Sequence, residues 1–107
     1  MMTALPDIIA AYFRAKNAHD IAAMSACFAE NAIVHDEEQE LRGIAAIENW
    51  MVSTTAKYQD TVDITHFDIQ NGETIVTGQV SGNFPGSPIE LQFHFILEGN
   101  KIVNLKI

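Results

Sequence analysis

From Asp60 onward the chain reads as strands separated by turn signals, and that half dictates what the other half must supply. Asn71-Gly72 is the strongest hairpin signal, because both residues tolerate the positive φ of a tight two-residue turn. Pro85-Gly86-Ser87-Pro88 and Gly99-Asn100 mark two further turns. Between them Ile89, Leu91, Phe93, Phe95 and Leu97 alternate with Glu90, Gln92, His94, Ile96 and Glu98. Strands are expected at about 61–70, 74–84, 88–98 and 101–107, as an antiparallel meander. Such a sheet has an apolar face that needs a cover.

The first half provides that cover. Helices are expected at about 5–18, 20–28 and 43–56. Thr3 can cap the first, with Pro6 in its first turn, and Ile8, Ile9, Tyr12, Phe13 and Lys16 follow helical spacing. Asp20 caps the second, whose apolar stripe is Ile21, Met24, Cys27 and Phe28. The third follows Gly43 and carries Ile44, Ile47, Trp50 and Met51. A short strand, 32–36, lies between them and is expected at a sheet edge, followed by a polar turn, Glu37 to Glu40. The expected fold is α+β: three N-terminal helices packed on a strongly curved antiparallel sheet, one domain over residues 1–107.

Charge narrows the partners. Fourteen acidic residues against six basic ones give a net charge of −8. The six cations are scattered, so no basic stripe exists for nucleic acid or an anionic membrane, and neither partner is expected. No basic segment leads into an apolar one at the start, so no signal peptide is expected. The single cysteine, Cys27, cannot form an internal disulfide, which suits a cytoplasmic location.

The segments F-A-E-N-A-I-V-H-D (28–36), L-R-G-I-A-A-I-E-N-W (41–50) and N-F-P-G-S-P-I-E-L-Q-F-H-F-I-L-E-G-N-K-I-V-N-L-K-I (83–107) carry a resemblance. Together with the order of elements, they resemble the SnoaL-like members of the nuclear transport factor 2-like superfamily. That resemblance implies a cone-shaped, cystatin-like roll around a pocket. Its members include isomerases, cyclases, dehydratases and epoxide hydrolases, beside transport factors and pocketed proteins without a known role. Set against the ketosteroid isomerases of that superfamily, Tyr12 falls at the position of a tyrosine on the first helix. Asp36 falls at the proton-shuttling aspartate. A second, protonated aspartate would fall near Phe93, and a supporting tyrosine at Phe28; this chain has neither.

The residues themselves point to one site. Alternation puts Asp36 on the strand face of Ala32 and Val34, among apolar walls, where a carboxylate can shuttle protons near neutral pH. The alternative is a strand-end carboxylate that accepts backbone N–H bonds. Tyr12 is expected to turn its hydroxyl toward the same pocket. Phe28, Trp50 and Phe93 are expected to line it, as is His66, which follows Val62 and Ile64 along its strand. His35 and Asp36 point to opposite faces, so no metal is expected between them, and no cofactor is implied. The expected function is acid/base isomerase, cyclase or dehydratase chemistry on a small, apolar, carbonyl-bearing molecule. A non-catalytic dimeric binding module is the alternative. A homodimer is expected through the outer sheet face, with Phe67, Ile69, Gln92, His94 and Ile96.

Overall fold

The structure is a computed structural model that describes residues 4–107. Helix α1 spans Asp7–Asn17, α2 Ile21–Ser25 and α3 Ile44–Tyr58. Strands are β1 Phe28–Asp36, β2 Gln39–Arg42, β3 Thr61–Gln70, β4 Glu73–Ser81, β5 Ile89–Glu98 and β6 Lys101–Lys106. The expected Thr3 cap lies outside the described residues. Pro6 holds the cap position, and its carbonyl accepts from the N–H groups of Ile9 and Ala10, each at 3.0 Å.

The six strands form one sheet in the order β2-β1-β6-β5-β4-β3. The meander β3 to β6 is antiparallel, and Gln70 faces Glu73 across Asn71-Gly72. Asn71 and Gly72 adopt φ of 52° and 78°, the left-handed region that favours this pair. The three helices pack against this sheet to give an α+β fold. A buried cluster runs from Ile9, Tyr12 and Phe13 on α1 through Ile47 and Met51 on α3 to Val76, Phe93, Phe95, Ile102 and Leu105 on the sheet. Among the described residues no helix is long and apolar enough to cross a membrane.

Three expectations are corrected. The strand expected at 32–36 begins at Phe28 and lies inside the sheet, not at its edge. It pairs parallel to β6, so the sheet is mixed rather than wholly antiparallel. The edge is β2, built partly from residues expected to form a turn; its hairpin brings Asp36 opposite Gln39. Helix α2 also ends three residues early. Tertiary pairing wins over the helical stripe there, because Cys27 O accepts from Ile102 N at 2.9 Å and Phe28 faces Ile102. The third correction concerns the outer face. Phe67 pairs with Val76 and Ile69 with Thr74, and both partners are buried. Phe67 and Ile69 therefore share the inner face, while Ile75, His94, Ile96 and Asn104 lie on the outer one.

Candidate functional site

Helix α1 presents Tyr12 and Lys16 four residues apart on its inward stripe. A lysine there needs a counter-charge, and Asp60 provides it: Lys16 Nζ lies 3.0 Å from Asp60 Oδ2, with the two side chains only 12% and 13% exposed. Asp60 sits in the tight link between α3 and β3, where Gln59 takes a left-handed conformation with φ of 49°. Two clamps fix the link. The Asn17 side chain donates to Val62 O at 2.9 Å and accepts from Val62 N at 2.7 Å. The His19 ring donates from Nε2 to Asp60 O at 2.9 Å, since a carbonyl can only accept.

Across the sheet, β1 delivers Asp36 at its end, and α3 brings Trp50 over it. The indole N–H donates to Asp36 Oδ2 at 2.8 Å. Beyond them the 82–88 loop folds back on α3. Asn83 N donates to Tyr58 O at 2.7 Å, and Phe84 meets the Tyr58 ring edge-on at 5.9 Å. A Cβ on Gly82 would stand 2.7 Å from Tyr58 O, so only glycine allows this approach without a shift of backbone.

These elements enclose a cavity of about 230 Å³. Its charged and polar wall is Lys16, Asp36, Glu37, Thr54 and Asp60. Its apolar wall is Val80, Phe84, Ile89, Leu91, Phe93 and Ile107, with Trp50 and Tyr58 between the two. A more polar groove of about 510 Å³ adjoins it, lined by Gln39, Asn49, Ser53 and Lys57 among others. Asp36, Glu37, Trp50, Thr54 and Tyr58 border both spaces. Asp36 thus stands where a small apolar chamber opens into a wetter channel. Glu37 beside it holds φ of 56°, an uncommon conformation for a residue other than glycine or asparagine.

Of the residues expected at the site, the structure brings Asp36, Trp50 and Phe93 together at the cavity wall. Tyr12, Phe28 and His66 do not line it. Tyr12 is 1% exposed, and its ring meets Phe13, Phe28 and Phe95 edge-on at 5.2–5.8 Å. Burial pushes its hydroxyl well above the usual tyrosine range, and the carboxylates of Asp60 and Asp36 push it further. Phe28 opens β1 and belongs to the same aromatic cluster. His66 is turned outward by a bulge: Ile64 faces Gly78 but His66 faces Thr77, so the alternation from Val62 breaks at Thr65. His35, on the strand face away from Asp36, lies 3.7 Å from Glu40, and His94 hydrogen-bonds Glu73 at 3.2 Å. The Cys27 thiol is buried and donates to Ala23 O at 3.4 Å; burial raises its pKa, which suits an inert thiol.

Lys16 and Asp60 are the site residues that sequence reasoning missed. The signal was a lysine on the apolar stripe of α1, which requires a buried carboxylate elsewhere in the chain.

The profile described as SnoaL-like domain matches residues 9–104. This chain therefore belongs to the SnoaL-like domain family, and its fold is like that of solved ketosteroid isomerase-like and nuclear transport factor 2-like proteins. A candidate polyketide cyclase from Sinorhizobium meliloti is similar over 95% of this chain and 94% of its own, at 33% identity and a TM-score of 0.92. A ketosteroid isomerase-like protein from Catenulispora acidiphila, solved with trimethylamine, is 19% identical, covers 96% and 85% and has a TM-score of 0.81. SalBIII, an epoxide hydrolase/cyclase-like enzyme of pyran ring formation in salinomycin, is 23% identical, covers 94% and 85% and has a TM-score of 0.82. A search among curated proteins gives no match.

Proposed function

We propose that the chain binds a small, mostly apolar, carbonyl-bearing molecule in this cavity and that Asp36 is its general base, in isomerase-, cyclase- or dehydratase-type chemistry. The observation that carries the reading is the Trp50–Asp36 bond at the junction of chamber and channel. One carboxylate oxygen is fixed by the indole, and among the described residues Oδ1 has no hydrogen-bond partner. A base needs that combination of fixed orientation and an open lone pair. Removal of a proton beside a carbonyl gives an enolate. Return of the proton elsewhere isomerises the substrate, attack on a second carbonyl closes a ring, and loss of a β-hydroxyl dehydrates it. The chamber is smaller than the ~300–1,000 Å³ of most drug-sized sites, which favours a compact substrate or one that extends past Trp50. Likeness to a candidate polyketide cyclase supports ring closure among the three outcomes. The deciding experiment is mass spectrometry of small molecules released from the purified protein, followed by turnover of the identified class with Asp36→Asn. An intact Asp36→Asn protein that still turns the substrate over at the native rate would sink the reading.

A second reading is a non-catalytic dimeric binding module. Phe93 favours it, since an apolar ring, 2% exposed, stands where the isomerase pattern has its second acid. Under either reading the chain forms a two-fold homodimer through its outer sheet face, with Ile75 and Ile96 at the contact.

A further inference from the structure

We propose that Lys16 is the hydrogen-bond donor for the substrate's carbonyl oxygen, so that the site selects an enolisable carbonyl compound whose negative charge is met by an ammonium. This deepens the reading of Asp36 as base and rests on it. An ammonium carries three donors, and the bond to Asp60 uses one. Among the described residues no other acceptor meets Nζ, yet the side chain is nearly enclosed and lines the cavity. Burial of spare donors is costly unless a ligand or water takes them. Of the other lining residues, Val80, Leu91 and Phe93 are apolar, and Asp36, Glu37 and Thr54 make no bond to Nζ. Tyr12, the donor implied by family resemblance, lies off the lining. Phe93 replaces the second one.

Asp60 sets the character of the donor. The resting pair is neutral overall, so an uncharged carbonyl can enter. Charge that then develops on the oxygen meets a donor already held in place. The step balances within the site. Asp36 Oδ1 takes the proton from the carbon beside the carbonyl. The C–H electron pair becomes the C=C bond, and the carbonyl π pair moves onto the oxygen facing Lys16. The same proton is later returned, so no oxidant or reductant is needed.

The test uses 4-nitrophenolate as an enolate mimic and 4-nitrotoluene as its neutral counterpart, in Asp36→Asn protein to remove the like charge. Phenolate is read by its visible band and both ligands by quenching of Trp50. Adding Lys16→Met is expected to weaken 4-nitrophenolate by about tenfold or more, the worth of one charge-assisted hydrogen bond, and to leave 4-nitrotoluene unchanged. Equal losses for both ligands, or none for either, would overturn the assignment. Lys16→Met leaves Asp60 as a bare carboxylate that itself repels the phenolate, so Lys16→Met/Asp60→Leu decides: a loss of 4-nitrophenolate that persists there is the expected result, and recovery to the Lys16 level overturns the assignment. The Asn17 and His19 clamps hold the backbone rather than the Asp60 carboxylate, and so survive in that variant. Failure of the native cavity to bind either ligand would remove the pocket reading and this one together. The base is tested apart, by α-proton exchange of a simple cyclic monoketone in deuterium oxide, counted above the rate without protein. Protein-dependent exchange that survives Asp36→Asn refutes Asp36 as base, and with it the role for Lys16 in that reaction.

Discussion

Trp50 and Asp36 stand fourteen residues apart in sequence, on a helix and on a strand, yet the indole N–H of one lies 2.8 Å from a carboxylate oxygen of the other. The bond ties α3 to the end of β1 at the point where the two cavities meet. It also joins the only tryptophan in the chain to the candidate base.

Tryptophan fluorescence, excited apart from the two tyrosines, therefore reports on the site alone. A ligand that enters the chamber is expected to shift or quench Trp50 emission, while Trp50→Phe removes the signal and frees Oδ2. That substitution is expected to cost about 1 kcal/mol, since water can reach the half-buried carboxylate and replace the lost donor. In a chain this size the change is a few degrees of Tm, readable by calorimetry.

For Asp36→Asn the expectation is retained fold and ligand binding with turnover reduced ~10²–10⁴-fold, the usual worth of a general base. Asparagine keeps the oxygen that Trp50 donates to but cannot take a proton. A purely structural role predicts instead a lower melting temperature, by order 1–3 kcal/mol, with turnover untouched. Steady-state kinetics and thermal melts on the same preparation separate the two.

The Tyr12 hydroxyl titrates above the ordinary tyrosine range in the folded protein because it is buried. The unfolded chain loses that proton first, near pH ~10. Stability from this group is thus complete below that pH and is lost as pH rises above it. Ultraviolet titration should show the Tyr12 share of the phenolate signal arriving only with alkaline unfolding. Tyr12→Phe should flatten that alkaline loss.

Asp60→Asn alone strands Lys16 in a largely enclosed position. A cost of about 1–3 kcal/mol is expected, less than for a fully buried pair because both side chains keep some exposure. Lys16→Met/Asp60→Leu should recover most of it. A double-mutant cycle in urea measures the coupling directly.

The outer-face dimer is expected to show in light scattering as twice the 11.8 kDa chain mass. Ile96→Lys, on a side chain 42% exposed, should shift it to monomer without loss of secondary structure. A monomer of the unaltered chain at tens of micromolar (a usual working range) would remove the proposal.

Much of this was legible in the sequence for physical reasons. Asn71-Gly72 and the Ile89–Leu97 alternation encode local geometry, and local geometry is what a sequence states most directly. The depth of Asp36 on an inner strand face, and Trp50 on the facing helix stripe, follow from periods of two and 3.6. What escaped depends on partners far along the chain. The parallel contact of β1 with β6 has no local signature, and neither has the bulge at Thr65 that turns His66 outward. Lys16 followed the apolar spacing openly; its meaning appears only once Asp60, forty-four residues later, is brought to it.

The parallel pairing of β1 and β6 has a consequence for how the chain comes into being. Residue Phe28 must wait for Ile102. As a ribosome delivers the chain from its first residue onward, β1 has only the four-residue β2 as a strand partner until β6 emerges. One edge of β1 stays open to other molecules for that interval. Closure over so long a stretch makes refolding slow relative to a helical protein of equal size. During synthesis, the interval before Lys101–Lys106 arrives is when a nascent chain of this kind has most need of a chaperone.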